Sequence, residues 1–267
     1  GGLIINGRAP LSGGSTGSTE INSAYSYGGT NTADNSGSIT YLKLEATGAR
    51  SSANVEHNGL TLNGVGNGTK IENVFIPDGA DDGIEFFGGS VNVKNLLVVN
   101  SDDDMFDMTQ GWNGTLENAY GIWEAGYSSS ESDPRGVEAD GNLDGKYPDQ
   151  TGQSDFTIKN MTIDLRLAPI AKDHADFAKK SMQDVLKIRR GAKATITNAL
   201  VKGTGTAQDV IDLDGANAGT SISLTNQLTS VTSADYIKPT TGFPNVKIEA
   251  GNTGCPTDIF AWTGYKF

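Results

Sequence analysis

Short runs of alternating apolar and polar residues recur along the chain, and two successive copies are clearest between Ile71 and Thr109. In each copy an apolar-x-Asn element is followed, after a turn rich in Asp or Gly, by a second alternating strand. Asn73 and Asn95 are 22 residues apart (95 − 73), as are Asp82 and Asp104 (104 − 82). A repeat of that length, made of two short strands, predicts one coil of a β-solenoid.

The first strand of the coil carries the apolar-x-Asn element at one fixed place. Its six occurrences are Ile71-Glu72-Asn73, Val93-Lys94-Asn95, Leu116-Glu117-Asn118, Ile158-Lys159-Asn160, Ile196-Thr197-Asn198 and Leu224-Thr225-Asn226. Strand alternation places each Asn on the face of the preceding apolar residue, which is the core face. Stacked asparagines satisfy one another's amides, so we predict an interior asparagine ladder, with Tyr41 in the Asn position of the preceding coil.

The second strand of the coil alternates equally well, and every predicted inward residue is apolar. These residues, taken coil by coil, are Leu3 and Ile5, Leu60 and Leu62, Ile84 and Phe86, Phe106 and Met108, Val137 and Ala139, Leu186 and Ile188, and Ile211 and Leu213. An all-β chain with one continuous core follows, which favours a single β-helix domain over residues 1–267.

Irregular spacing between the repeats locates the insertions. Residues 8–36, 124–135 and 141–155 are predicted edge loops, which on a solenoid usually border the binding face. Residues 169–183 form the one predicted helix, because apolar side chains recur there at helical spacing.

The two ends of the chain differ from its middle. Residues 1–7 match the mid-coil strand of residues 58–64 and lack an initiating Met, so we expect further coils upstream. After Asn226 the repeat fades, and residues 227–267 are predicted to form a last coil and an aromatic cap over the open end of the solenoid. A sugar-binding platform is the alternative for these aromatic rings.

Composition excludes several classes of partner. The net charge of −12 and the isoelectric point near 4.5 argue against nucleic acid and against anionic membranes. No run of 18 apolar residues exists, so no transmembrane helix is predicted. The single cysteine, Cys255, permits no intramolecular disulfide.

Candidate chemistry lies on the outward face of the second strands. Glu85, Asp107, Glu138 and Lys187 occupy one outward position of successive coils, about 4.8 Å apart, and Arg189 occupies the next outward position of the strand that carries Lys187. Adjacent carboxylates repel, so they need a bound cation, a shared proton or the nearby basic residues.

Two interpretations of this acidic column stay open. Carboxylates two coils apart would be roughly 9.6 Å from each other, near the upper limit of the separation in inverting glycosidases. A carboxylate-bound Ca²⁺ beside Lys187 or Arg189 would instead suit proton abstraction from an acidic sugar. The alternative is a solvated polar face on which Lys187 and Arg189 pair with acids.

A short motif after the fifth of these strands predicts a calcium site. Residues 140–145 match the first half of a calcium loop, Asp-x-Asn-x-Asp-Gly, through Asp140, Asn142 and Asp144. The twelfth position is Thr151 in place of an acid, so Asp149 or Glu138 would have to substitute. An Asx-rich turn is the alternative. The acidic corners at residues 78–82 and 102–104 are a further candidate cation site.

Several of these segments resemble a known family, the exported or lipid-anchored, pectin-lyase-like parallel β-helix proteins of Gram-negative bacteria. The resemblance is carried by residues 1–10, 82–89, 103–107, 136–142 and Trp262-Thr263-Gly264. It implies a right-handed parallel β-helix on the outer-membrane surface or outside the cell, and it implies no particular activity.

Two functions are consistent with these features. The first is a secreted or cell-surface β-helix that binds a glycan or assembles with copies of itself, stiffened by Ca²⁺. The second is a polysaccharide lyase or glycoside hydrolase that works in the acidic groove from Glu85 to Arg189.

Overall fold

The computed structural model describes residues 1–14, 16–49, 55 and 57–267. The strands, in chain order, are β1 (Leu3–Asn6), β2 (Gly17–Thr19), β3 (Asn22–Tyr27), β4 (Ser38–Lys43), β5 (Leu60–Asn63), β6 (Lys70–Pro77), β7 (Ile84–Phe87), β8 (Asn92–Val99), β9 (Phe106–Thr109), β10 (Thr115–Trp123), β11 (Arg135–Asp140), β12 (Asp155–Leu165), β13 (Ser181–Arg189), β14 (Lys193–Gly203), β15 (Thr206–Asp212), β16 (Ser221–Asn226), β17 (Ile237–Lys238) and β18 (Val246–Ile248). An α-helix, α1, spans Phe177–Lys180, and short 3₁₀ segments span Ser12–Gly14, Leu143–Gly145, Ser233–Asp235 and Asp258–Thr263.

Two parallel sheets of eight strands each form the body of the molecule. Sheet A has the order β1-β5-β7-β9-β11-β13-β15-β17, and sheet B has the order β4-β6-β8-β10-β12-β14-β16-β18. From β4 onward the chain alternates between the two sheets, so each coil contributes one strand to each. This arrangement is a parallel β-helix and confirms the predicted fold class.

The interior is filled by stacked apolar residues, as the alternation predicts. Leu60, Ile84 and Phe106 align in register on sheet A and are fully buried. Trp112 stacks on Phe86 in the same core, with ring centroids 4.0 Å apart. Burying one such side chain stabilises the fold by about 1.5–3 kcal/mol, and the stack runs through every coil.

An asparagine ladder links five coils on sheet B. Nδ2 of Asn95 donates to Oδ1 of Asn73 at 2.9 Å, and the same bond joins Asn118 to Asn95, Asn160 to Asn118 and Asn198 to Asn160 at 2.8–2.9 Å. All five residues have φ between 54° and 59°, a left-handed conformation that Asn tolerates. The strands bend there, so the ladder lies partly buried beside the core and not within it as predicted.

The sixth predicted ladder residue, Asn226, lies outside the ladder. A register shift between β14 and β16 aligns Asn226 with Val201. Oδ1 of Asn198 accepts instead the backbone N–H groups of Thr253 at 2.7 Å and Gly254 at 3.2 Å. The returning C-terminal segment therefore completes the ladder in place of an asparagine.

The aromatic C-terminal segment also lies elsewhere than predicted. It packs on the outer face of sheet B, where Phe260 is fully buried in a cluster with Leu97 and Tyr120. Trp262 reaches Tyr41 of β4, with ring centroids 5.5 Å apart, and Tyr41 has the predicted Asn-like φ of 57°. Outward residues of these coils are apolar, which explains why the rings cover the side of the solenoid and not its open end.

The predicted helix over residues 169–183 is shorter than expected. Only Phe177–Lys180 is helical, because β13 begins at Ser181 and the fully buried Met182 joins the core of sheet A. The predicted loop at residues 8–36 contains the antiparallel hairpin β2–β3, which lies outside both sheets.

Candidate functional site

The outward side chains of sheet A form the predicted acidic column. Glu85 aligns in register with Asp107, Asp107 with Glu138, and Glu138 with Lys187. Arg189 lies two residues further along β13 on the same face. The five residues of the predicted catalytic set are therefore neighbours.

A second charged column, which the strand pattern alone does not reveal, runs three residues upstream of the first. It consists of Asp82, Asp104, Arg135, Asp184 and Asp209, all at most 7% exposed. Arg135 aligns with Asp184, and Asp184 with Asp209. An offset of three residues does not fit a period of two, so alternation misses this column; the signal in the sequence is a charged residue three positions before each member of the first column.

Arg135 is a buried cation shared by many carboxylates. Its guanidinium lies 2.9 Å from Asp133, 3.2 Å from Glu138, 3.5 Å from Asp184 and 4.0 Å from Asp104. Burial alone lowers the pKa of Arg135, but Asp104 and the other carboxylates raise it above its usual value. One positive charge is thus divided among four negative ones.

The two basic residues of the predicted catalytic set are also held in ion pairs. Nζ of Lys187 lies 2.6 Å from Asp212. Arg189 contacts Glu138 and lies 2.8 Å from Asp140. Neither cation is available to a substrate unless one of these pairs breaks.

Three carboxylates at the centre of the face are crowded by other carboxylates. None of the ion pairs formed by the described residues includes Asp82, Glu85 or Asp107. Burial raises the pKa of all three well above the usual range, and adjacent carboxylates raise it further. The strongest of these neighbours are Asp81 for Asp82, Asp107 for Glu85, and Glu138 for Asp107.

Carboxylate groups on this face are spaced for metal binding. Among the described residues, four sets of three place one oxygen per residue within 4.8 Å of one another: Asp81, Asp82 and Asp103; Asp82, Glu85 and Asp107; Asp104, Asp107 and Glu138; and Asp184, Asp209 and Asp212. The first and second sets share Asp82, and the second and third share Asp107, so the three sets form one continuous line. Oxygens at such separations fit a divalent cation with bonds of about 2.3–2.6 Å.

The first residue of the predicted calcium loop, Asp140, forms ion pairs with two arginines. The carboxylate of Asp140 lies 2.8 Å from Arg189 and 2.6 Å from Arg190. Glu138, its proposed helper, lies instead in the set that contains Asp104 and Asp107.

The other side-chain oxygens of the predicted calcium loop do not converge on one point. Oδ1 of Asn142 accepts the backbone N–H of Tyr147 at 2.9 Å. Asp144 is exposed and lies 2.7 Å from Lys146, and Asp149 is exposed. Calcium binding by this loop stays a prediction, whereas the oxygens that the structure does bring together lie on sheet A.

The hairpin β2–β3 and its flanking loop cover one end of the acidic face. Leu11, Tyr27 and Phe87 pack together, and the hydroxyl of Tyr27 donates to Gln110 at 2.8 Å. As a result Glu85 is 8% exposed although it points outward from the sheet.

Little free space remains under this cover. The cavity lined by Glu20, Asn58 and Thr61 measures about 10 Å³, room for roughly one water molecule. A sugar ring cannot enter it unless the hairpin moves.

Sheet B presents a contrasting open groove of about 450 Å³. Glu72, Lys94, Glu117 and Lys159 align in register across it, so the charges alternate in sign. Nζ of Lys94 lies 3.1 Å from Glu117, and both side chains are well exposed, at 47% and 38%.

The family comparison covers this whole architecture. The sequence model of one protein family, the pectate-lyase-like β-helix domain, matches residues 1–264. The chain belongs to this family. Searches of curated proteins and of solved structures found no match to this β-helix domain. Among the described residues, no helix has the length and apolarity needed to cross a bilayer.

Proposed function

We propose that this protein is a non-catalytic β-helix that binds a glycan or copies of itself and is stabilised by calcium. The observation that carries the proposal is the closed acidic face of sheet A. The hairpin covers the Glu85 end of the face, and the basic residues of the face are held in ion pairs. A face arranged in this way stabilises a structure and offers no reactive group to a polymer.

The enzymatic alternative has less support from the geometry. A general base must come within hydrogen-bond reach of the proton that it removes. Glu85 is 8% exposed, and Lys187 is paired with Asp212 at 2.6 Å. A lyase or hydrolase mechanism on this face would require both the cover and the ion pair to open.

The groove on sheet B supports the choice of a glycan as ligand. It is open, and its lining combines amide, hydroxyl and charged groups from Asn67, Thr69, Asn92 and Thr115 with the Lys94–Glu117 pair. These groups both donate and accept hydrogen bonds, as sugar hydroxyls require. The proposed location, outside a Gram-negative cell or on its outer membrane, rests on the resemblance of residues 1–10 and 136–142 to exported β-helix proteins.

The test is a panel of acidic and neutral polysaccharides, with retardation in affinity electrophoresis and release of reducing ends measured together. We expect retardation without cleavage, and Lys94→Ala should weaken retardation several-fold. Lys193→Ala is the matched control, because Lys193 lies on β14, outside the groove lining, and pairs with Asp155 at 3.1 Å.

Two results would overturn the proposal. One is depolymerisation that Asp107→Asn abolishes, which establishes the enzyme. The other is the absence of both glycan retardation and self-association by analytical ultracentrifugation.

A further inference from the structure

The centre of the sheet A face carries more negative charge than its neighbours offset. Asp82, Glu85 and Asp107 take part in no ion pair among the described residues. The adjoining Asp104 and Glu138 share Arg135, which also serves two other carboxylates. Ionised carboxylates removed from water are stable only when they are paired or bound to a metal.

Two buried oxygens in this cluster also lack a hydrogen-bond donor. Oδ1 of Asp104 and Oδ1 of Asp107 are inaccessible to solvent and accept no hydrogen bond from the described residues. Asp104 is only 3% exposed, so bulk water does not satisfy it. An unsatisfied buried acceptor is rare in folded proteins, and these two belong to the same set of converging carboxylates.

We infer that a calcium ion binds in this cluster, with Asp107 as the central ligand between Asp82 and Glu85 on one side and Asp104 and Glu138 on the other. The oxygens of each set of three lie within 4.8 Å of one another, which two Ca–O bonds of about 2.4 Å can span. The site gives a location to the calcium stabilisation proposed above, on which it rests, and it is independent of glycan binding.

The donor set selects the ion. All five side chains offer carboxylate oxygens, and the cluster contains no His or Cys, so zinc is disfavoured. Carboxylates from three coils of a rigid sheet supply several oxygen ligands, whereas magnesium usually keeps most of its water. Calcium, with six to eight oxygen ligands and flexible geometry, fits best.

The neighbouring carboxylates offer a route to the site. Asp81 and Asp103 form a set with Asp82 at the corner before β7 and β9, and both are partly exposed. A cation that enters at this corner meets acidic oxygens continuously until it reaches Asp107.

The experiment is calorimetric titration of chelator-treated protein with calcium chloride, accompanied by thermal melts. We expect binding to the wild-type chain and a rise in Tm of about 5–10 °C when calcium is near 100-fold above Kd. Asp107→Asn should abolish both signals. Asp144→Asn should retain both, because Asp144 belongs to the loop motif and not to the cluster.

Other outcomes have defined meanings. If the wild-type chain binds no calcium, the inference is overturned, and the carboxylates hold protons in place of a metal. If Asp144→Asn loses the response and Asp107→Asn keeps it, calcium binds in the loop and the inference is again overturned. Should Asp107→Asn not fold, Glu85→Gln replaces it and should weaken binding at least tenfold. Glycan retardation is measured in a separate experiment, so the absence of glycan binding would not affect the conclusion about calcium.

Discussion

The outward faces of sheets A and B carry rows of charged residues on the same scaffold, yet the two rows behave differently. On sheet B, Lys94 and Glu117 alternate in sign and remain well exposed. On sheet A, Glu85 and Asp107 have the same sign, and Glu85 is only 8% exposed. The β-helix fixes the spacing of both rows, whereas the order of signs and the edge loops decide whether a row is an ordinary surface or a charged interior.

The contribution of a charged residue to the free energy of unfolding therefore differs between the two faces. An exposed pair such as Lys94–Glu117 contributes about 0–1 kcal/mol, because water screens it. Removing one partner from a buried pair leaves an uncompensated charge and costs about 3–5 kcal/mol. Each of the following predictions compares a substitution with a matched substitution in the contrasting region.

Arg135→Met should have the largest effect. It leaves Asp104, Glu138 and Asp184 without their shared cation, and we expect a loss of about 3–5 kcal/mol in the free energy of unfolding. Lys94→Met on sheet B is the control and should change stability by less than about 1 kcal/mol. Urea unfolding of both variants measures the difference, and equal losses would contradict the contrast between the faces.

Asn95→Ala should have the next largest effect. It removes two ladder bonds, to Asn73 and Asn118, and places Ala at a φ of 59°. We expect a cost of about 2–4 kcal/mol from the unsatisfied amides and the strained backbone. Asn226→Ala is the matched control, because Nδ2 of Asn226 has no hydrogen-bond partner in the described part of the chain and the residue lies outside the ladder.

Thermal melts of these two asparagine variants provide the measurement. Asn226→Ala should cost no more than about 1 kcal/mol, since it loses one bond, from the N–H of Leu228 to Oδ1 at 3.1 Å. Similar effects of the two substitutions would mean that the ladder does not stabilise the coils.

Asp107→Asn should have the smallest effect and the opposite sign in protein stripped of metal. Removing one of the crowded buried charges should raise stability by about 1 kcal/mol. Glu117→Gln on sheet B should instead be neutral or slightly destabilising, because it loses an exposed pair with Lys94. Destabilisation of the metal-free protein by Asp107→Asn, measured in chelator, would argue against crowding of charge on sheet A.

Much of the fold was predictable because alternation has a strict period of two. That period predicts Glu85, Asp107 and Glu138 in one row, and the register confirms the row. It also placed Asn73 and Asn95 in the ladder.

The remaining features depend on contacts that a local pattern does not contain. Arg135 follows a loop, so its membership of the second column emerges only from its register with Asp184. Asn226 leaves the ladder because the distant Thr253 takes its place. The closure of the acidic face depends on a hairpin far from Glu85 in sequence. Pairings of this kind are set by tertiary structure and not by propensity.

The most direct test is the difference in Tm between calcium-loaded and chelator-treated wild-type protein, followed from pH 5 to pH 8. In the metal-free protein, burial raises the pKa of Asp103 to about 7 and of Asp107 well above its usual range, so stability falls as pH rises from about 4 toward 7. Calcium binds the deprotonated carboxylates, so its stabilisation grows over the same interval. We predict a Tm difference that widens with pH; a difference that is absent, or constant from pH 5 to pH 8, would contradict the assignment of a cation to the sheet A face.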